Sequence, residues 1–246
     1  VNEILAAYIN TYKALCELIN NSIQADAKNI KLTIDYADEN LLNPLPVNRI
    51  VLRDDGFGVH INDIEEKLLD IGTANKKGGK GVGRFAAFQI GNKFTIETVG
   101  YSQNDKTWSH AIIPLESGDF KKESDVRHVD IDTIEEILDK KADTYYQITI
   151  EDLYDVRAGD CEHKKKLTKN FSKNNIKDSL FETYCLKIFN GDISIYANGE
   201  KIKPQDYIIG APERKLSEYV DKKGNKHRTE MDFIQIKGLD KIRVYL

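Results

Sequence analysis

The chain has 246 residues, which at roughly 150 residues per domain predicts one domain with an additional piece. Hydrophobic residues make up 40% and charged residues 31% of the sequence, a composition that excludes a disordered chain. The formal net charge of −4 excludes a strong overall attraction to nucleic acid. Because no apolar run could span a bilayer and no signal segment is evident, we expect a cytoplasmic protein that has no membrane partner.

The first part of the sequence predicts a helix and two strands ahead of a second helix. Apolar residues recur at three- and four-residue steps over residues 1–23, as on one face of a helix. Residues 29–36 alternate between apolar and polar, as in a half-buried strand, and residues 49–53 predict a second strand. Asn62 and Glu65 have the spacing of a capping box, which predicts the start of the next helix.

The middle of the chain is interrupted by a segment rich in glycine and lysine over residues 72–83, which is not the interior of a regular element. The elements predicted after it are a helix over 85–90, strands over 93–99, 107–113 and 145–150, and a short helix over 134–138.

The last part of the chain predicts a helix and two hairpins. The helix covers residues 176–189, and Gly191 provides its stop signal. The Asn-Gly pair at 198–199 is the strongest short-range signal for a hairpin, and the Gly-Asn pair at 224–225 predicts a second one.

Three short motifs carry the chemistry, and the first lies on the opening helix. Glu17 and Asn21 are four residues apart, so they project from the same helix face. A carboxamide oxygen can ligate magnesium, and a carboxylate can polarise a water nucleophile. Taken alone, the pair is equally typical of a solvated helix face.

The second motif, residues 54–58 with the sequence DDGFG, follows a predicted strand. Asp54 at the strand end can accept a hydrogen bond from an exocyclic amine such as that of adenine. Gly56 and Gly58 allow a ligand ring to approach the backbone closely. An ordinary acidic turn has the same composition.

The third motif is a glycine-rich loop that opens onto a helix. Its bare backbone N–H groups can cradle phosphate, and its basic side chains add positive charge. The loop does not have the G-x-x-x-x-G-K-[ST] pattern of the P-loop. Its residues are Gly78, Gly79, Lys80, Gly81, Val82, Gly83 and Arg84.

In this order, the three motifs resemble the nucleotide site of the GHKL superfamily, which contains gyrase-type topoisomerases, 90-kilodalton heat-shock chaperones, histidine kinases and MutL-type repair proteins. The resemblance covers residues 14–99, about a third of the chain. Residues 17–27, ELINNSIQADA, look most like MutL, MORC and the chaperones. Residues 71–74 and 81–83 look most like the chaperone lid.

The resemblance implies an α+β fold of the Bergerat type: a two-layer sandwich in which helices cover one face of a mixed, mostly antiparallel sheet, followed by a C-terminal helix-hairpin extension. It implies an ATP site with Mg²⁺ in which Asp54 receives the adenine amino group, Asn21 holds magnesium and Glu17 activates the hydrolytic water. The other implied nucleotide contacts are Gly56 and Gly58 beside the base, Thr73 near the base or lid hinge, and Gly78, Gly79, Lys80, Gly81, Val82, Gly83 and Arg84 in the phosphate lid.

Two departures from the family pattern bear on this site. Several relatives carry an acidic residue three positions after the motif asparagine, and this chain has Gln24 there. The Gly-Thr pair that the family often places before its last motif strand is missing, so Thr149 or Thr144 is the substitute. Strand alternation points these two threonines to opposite faces, and only one can reach the adenine.

The function implied is that of a magnesium-dependent ATPase resembling the chaperone N-terminal domain, whose lid closure drives a conformational change or homodimerisation. One alternative is an ATP sensor that does not hydrolyse, and another is phosphotransfer of the histidine-kinase type. The client, protein or nucleic acid, is left open. We expect an ATP-binding core over 1–155, a linker, helix and hairpin completing it over 156–203, and a strand-rich, transducer-like region over 204–246.

Overall fold

The structure is a computed structural model that describes residues 8–37, 47–69, 83–122, 131–154 and 166–237. Its α-helices are α1 (Thr11–Gln24), α2 (Ser117–Lys122), α3 (Ile176–Phe189) and α4 (Pro204–Tyr207). Its strands are β1 (Asn29–Tyr36), β2 (Val47–Asp54), β3 (Gly91–Ser102), β4 (Thr107–Glu116), β5 (Ile134–Leu138), β6 (Tyr145–Leu153), β7 (Ser194–Ala197), β8 (Glu200–Lys201), β9 (Ile208–Val220) and β10 (Lys226–Ile236).

Eight strands form one sheet in the order β5-β4-β3-β6-β2-β1-β7-β8. All neighbours in this sheet are antiparallel except β1 and β7, which are parallel. Strands β9 and β10 pair with each other in a separate antiparallel sheet. The mixed, mostly antiparallel sheet with its helices confirms the predicted α+β fold class.

The core lies between the helices and one face of this sheet. In β1, Ile30, Leu32 and Ile34 are buried while Lys31 is exposed, as the alternating sequence predicts. These side chains share one apolar cluster with buried residues of α1 and α3. Each large apolar side chain buried there contributes about 1.5–3 kcal/mol. Among the described residues, no helix has the length and apolar character needed to cross a membrane.

One predicted helix is wrong: residues 134–138 form strand β5. Ile134 and Leu138 have a helix-like spacing, but this segment is too short to hold a helix by itself. Pairing with β4, from Trp108 opposite Leu138 to Ile112 opposite Ile134, satisfies its backbone instead. The segment is therefore a strand at the edge of the sheet.

The helix predicted to begin at Asn62 has a different start and form. The cap is His60, which is 2% exposed and whose side chain accepts a hydrogen bond from the Asn62 backbone N–H at 3.3 Å. A 3₁₀ turn over Ile61–Asp63 leads into a π-helical turn over Glu65–Leu69. The helix predicted over 85–90 is likewise a 3₁₀ helix, Gly83–Gln89.

Candidate functional site

Asp54 is a buried carboxylate at the end of strand β2. Its side chain is almost fully enclosed, and Oδ1 accepts a hydrogen bond from the Gly56 backbone N–H at 2.9 Å. Burial raises the pKa of Asp54, and a hydrogen bond from the Ser22 hydroxyl opposes that rise. A buried acceptor of this kind is suited to a ligand that brings its own N–H donor.

The turn after Asp54 is held against the end of α1. A Cβ on Gly56 would lie 2.7 Å from the carbonyl oxygen of Ala25, which caps α1. The same oxygen accepts a hydrogen bond from the Phe57 backbone N–H at 3.1 Å. Glycine at this position therefore lets two stretches of backbone touch, and its predicted place beside a base stays a prediction.

Gly58 packs against strand β3 in the same way. Its φ of +60° is unfavourable for a side chain, and a Cβ there would lie 2.0 Å from the carbonyl oxygen of Val99. The next residue is fixed as well, because the Val59 backbone N–H donates to the Thr98 hydroxyl at 2.8 Å. The DDGFG turn is thus locked between α1 and β3.

We expect the substitution Gly58→Ala to destabilise the fold by about 3 kcal/mol or more, because backbone strain alone costs roughly 1–3 kcal/mol and the clash with Val99 adds to it. Urea denaturation measures the loss. Gly118→Ala is the matched control, since a Cβ at Gly118 meets no atom within 4 Å. Equal stability of the two variants would contradict this packing.

Glu17 and Asn21 lie side by side on the outer stripe of α1. Both are half-buried, and the exposed Lys13 and Gln24 belong to the same stripe. Within the part of the chain that the structure describes, neither Glu17 nor Asn21 uses its side chain in a hydrogen bond or ion pair. Asn21 precedes Ser22, the residue that reaches Asp54. The structure therefore brings the first two motifs together at the C-terminal end of α1.

A pocket of about 490 Å³ lies beside Glu17, between α1 and α3. Lys13 and Glu17 line it from α1, and Tyr184 and Lys187 line it from α3. Glu17 therefore borders space that water can enter, in a pocket that Lys13 and Lys187 also line.

Most of the third motif falls outside the described residues. Gly83 begins a 3₁₀ helix, and the backbone of Arg84 continues it. The predicted nucleotide contacts that lie outside the described residues are Thr73, Gly78, Gly79, Lys80, Gly81 and Val82.

Thr149 is not brought to Asp54. In the β2–β6 ladder it lies opposite Val51, and Asp54 lies opposite Tyr146. Residues directly opposite each other share a face, so Thr149 lies on the sheet face away from Asp54. Thr144, the other open choice, precedes the first residue of β6.

Tyr146, which the sequence analysis did not single out, is the residue that lies at this place. It lies opposite Asp54 on one side and opposite Thr98 on the other, and it packs partly buried against the core. The sequence does indicate the face of Tyr146, because it is two residues from Ile148 and four from Ile150, which are both buried. Its position opposite Asp54 can be known only from the pairing of the strands in the folded sheet.

The oxygen donors near α1 fit a magnesium ion that is held mainly by a nucleotide. Among the described residues there is no group of three or more His, Cys, Asp or Glu side chains that could hold a metal. Magnesium in nucleotide sites usually takes one or two protein ligands and completes its shell with phosphate and water. The half-buried Asn21 amide can supply one such oxygen.

The family model for histidine kinase-, DNA gyrase B- and HSP90-like ATPases matches residues 9–144 of this chain. The match begins just before α1 and ends before β6. It therefore contains Glu17, Asn21 and Asp54, and it leaves out Tyr146 and α3.

Two solved structures are similar to the chain. The Aquifex aeolicus MutL ATPase domain complexed with ADP is 14% identical with a TM-score of 0.46, and the match covers 85% of this chain and 75% of that one. The N-terminal domain of a DNA repair protein is 15% identical with a TM-score of 0.47, and the match covers 95% of this chain and 56% of that one. No curated protein matches the chain in sequence.

Proposed function

Because the chain belongs to the family of histidine kinase-, DNA gyrase B- and HSP90-like ATPases, we propose that it is a magnesium-dependent module that binds and hydrolyses ATP. The observation that carries the proposal is the buried Asp54 carboxylate beside the end of α1, the helix that presents Glu17 and Asn21. Isothermal titration calorimetry with ATP and a phosphate-release assay, each with and without Mg²⁺, test it directly.

Asp54 is the base-recognition residue in this proposal. Its carboxylate accepts the hydrogen bond of the adenine amino group, which no guanine offers at the same place. The Gly56 N–H holds the carboxylate in position, and the Ser22 hydroxyl lies near it. The buried surroundings make a hydrogen bond to this charge worth more than one made in water.

Glu17 and Asn21 act on the phosphate end of the nucleotide. Asn21 supplies an amide oxygen to Mg²⁺, which neutralises phosphate charge when bound. Glu17, four residues earlier and one turn away, orients the attacking water and takes up its proton. Its carboxylate is suited to this task because it is half-buried beside an open pocket and is not used in an ion pair among the described residues.

The glycine-rich motif completes the proposed site. By the resemblance, Gly78, Gly81 and Gly83 wrap the triphosphate and Lys80 adds charge, with Thr73 near the lid hinge. As in the chaperones that the chain resembles, closure over ATP couples to a conformational change or to homodimerisation. The proposed core is residues 1–155, completed by 156–203 and followed by a transducer-like region over 204–246.

We expect Tyr146, rather than Thr149, to contact the base, since Tyr146 lies directly across from Asp54. Tyr146→Ala should weaken the binding of ATP, ADP and adenosine by a similar factor of about tenfold, because stacking on a base is worth roughly 1–3 kcal/mol. Calorimetric titration of the three ligands measures it. Thr149→Val is the control, and it should bind like the wild type.

A binding loss for ATP that adenosine does not share would place Tyr146 near the phosphates and contradict this assignment. If Thr149→Val weakens ligand binding and Tyr146→Ala does not, Thr149 is the residue that contacts the base.

A second candidate is an ATP sensor without turnover. Gln24 favours it, because an exposed amide stands where several relatives have a carboxylate. Tight ATP binding without phosphate release would support the sensor, whereas steady release abolished in Glu17→Ala would support the ATPase.

A further inference from the structure

Helix α3 contacts α1 through a pair of hydroxyl groups, and we infer that Tyr184 is a positioning residue that sets the direction in which Glu17 faces. Its hydroxyl donates to the backbone carbonyl oxygen of Cys16 at 2.9 Å and lies 3.2 Å from Oδ1 of Asn20. One helical turn before Cys16, the Tyr12 hydroxyl shares a hydrogen bond with the Thr183 hydroxyl at 2.9 Å. The inference rests on the proposed function of Glu17.

The contacted stripe of α1 is adjacent to its functional stripe. Cys16 immediately precedes Glu17, and Asn20 immediately precedes Asn21. Successive residues of an α-helix are about 100° apart around its axis, so fixing one stripe fixes the rotation of the other. The Tyr184 hydroxyl therefore holds the turn of α1 that carries Glu17.

The contact is buried, which makes it directional. Tyr184 and Cys16 are each 6% exposed. Burial raises the pKa of the Tyr184 phenol above its ordinary value, so the hydroxyl keeps its proton and remains a donor. If this donor and acceptor separate, both remain buried without a hydrogen bond, which costs free energy. Rotation of α1 about its axis is therefore unfavourable.

Helix α3 is irregular at the residue that makes this contact. The backbone of Tyr184 departs from helical geometry, with φ −115° and ψ 21°, inside an otherwise continuous helix. Glu17 and Tyr184 also line the same pocket, so the contact lies close to the Glu17 side chain. Helix α3 lies outside the matched residues 9–144, so the positioning of Glu17 through Tyr184 depends on the later part of the chain.

The test is Tyr184→Phe in the whole chain, which removes the hydroxyl and keeps the ring. We expect kcat for ATP hydrolysis to fall about tenfold, because a misplaced catalytic group slows only the chemical step. The Kd for ATP, measured by calorimetry, should stay within about twofold of the wild type, since Asp54 and the base are not touched. Asn20→Ala probes the same contact from α1 and should lower kcat by about threefold, as expected for one lost hydrogen bond.

Tyr12→Phe is the matched control. It removes the other hydroxyl between α1 and α3, one turn away from Glu17. We expect a comparable loss of stability in denaturant from both tyrosine variants, with kcat lowered only in Tyr184→Phe.

Equal kcat values for the two tyrosine variants would overturn the inference, whether both fall or both keep the wild-type rate. If Glu17→Ala abolishes turnover while Tyr184→Phe and Asn20→Ala keep the wild-type rate, the proposed function stands and the positioning role of Tyr184 is wrong. A wild-type chain that releases no phosphate contradicts the proposed ATPase activity, and the inference falls with it.

Discussion

Replacing Asp54 by asparagine is expected to abolish ATP binding, with a loss of at least about a hundredfold in affinity. The carboxylate is the group that the proposed site directs at the adenine amine, and a charge-assisted hydrogen bond in a buried place is worth roughly twice a neutral one. Asparagine has nearly the same shape, so its oxygen still accepts from the Gly56 N–H. Isothermal titration calorimetry with ATP measures the loss.

The same substitution should make the free protein more stable at neutral pH. Burial raises the pKa of Asp54 in the folded state, so the folded chain holds that proton more tightly than the unfolded chain. Its contribution to stability then falls as pH rises from the ordinary aspartate pKa to the raised one, and remains unfavourable above it. Asp54→Asn removes this cost, and urea denaturation should reveal a higher midpoint at pH 7.

Asp55→Asn is the control for Asp54→Asn, because it changes a charge at the next residue of the same turn. Partial burial raises the pKa of Asp55, but hydrogen bonds lower it further than burial raises it. The carboxylate accepts from the Asn29 side-chain amide at 2.7 Å and from the backbone N–H groups of Asn29 and Lys28 at 2.7 and 2.8 Å. We expect this variant to be less stable and to keep ATP binding. A loss of binding in Asp55→Asn but not in Asp54→Asn would refute the assignment of the base site.

Replacing Glu17 by alanine is expected to keep ATP binding and remove turnover, with kcat at least about a hundredfold lower. General-base catalysis by a positioned carboxylate typically contributes 10²–10⁴-fold. The Glu17 side chain makes no ion pair or hydrogen bond among the described residues, so the fold loses little when it is removed. A phosphate-release assay gives kcat, and calorimetry gives the Kd.

Gln24→Ala is the matched control on α1. Gln24 is exposed on the same stripe and lies about two turns beyond Glu17. This variant should hydrolyse ATP at the wild-type rate. Normal hydrolysis by Glu17→Ala would show that another group activates the water.

Local patterns were sufficient to predict the elements that support the site. The alternation from Ile30 to Tyr36 defines the buried face of β1, and α1 is predicted over residues 11–23 because its apolar residues recur every three or four positions. The predicted start of this helix is wrong, since residues 8–10 precede it and are not helical. Asp54 at a strand end could also be predicted, since it directly follows the strand predicted over residues 49–53, and β2 does end at Asp54. Each of these predictions depends only on neighbours in the sequence.

Register could not be predicted in this way. Thr149 is one of the two threonines that can stand in for the family's Gly-Thr pair, but the pairing of β6 with β2 places Tyr146 opposite Asp54. That pairing joins segments about a hundred residues apart, and a shift of one residue would reverse every face. The wrong prediction of a helix over residues 134–138 has the same cause, because pairing with β4 makes this segment a strand despite its helical spacing.

The glycines at 56 and 58 were predicted to permit a close approach to the backbone, and the structure shows such an approach at both. A close approach of backbone at Gly56 and Gly58 was expected, with a ligand as the partner. The structure gives each of them a protein partner, Ala25 at the end of α1 for Gly56 and Val99 on β3 for Gly58, and their place beside a base stays a prediction. A glycine in the sequence indicates that another group approaches the backbone closely, but only the folded structure shows which group it is.

The most direct test of the account is a crystal structure of the chain with a non-hydrolysable ATP analogue and Mg²⁺. We predict the purine amino group within about 3 Å of the Asp54 carboxylate, and the phosphates on the side of Glu17 and Asn21. An analogue bound elsewhere, or one whose purine amino group makes no hydrogen bond to the Asp54 carboxylate, would contradict the proposed site.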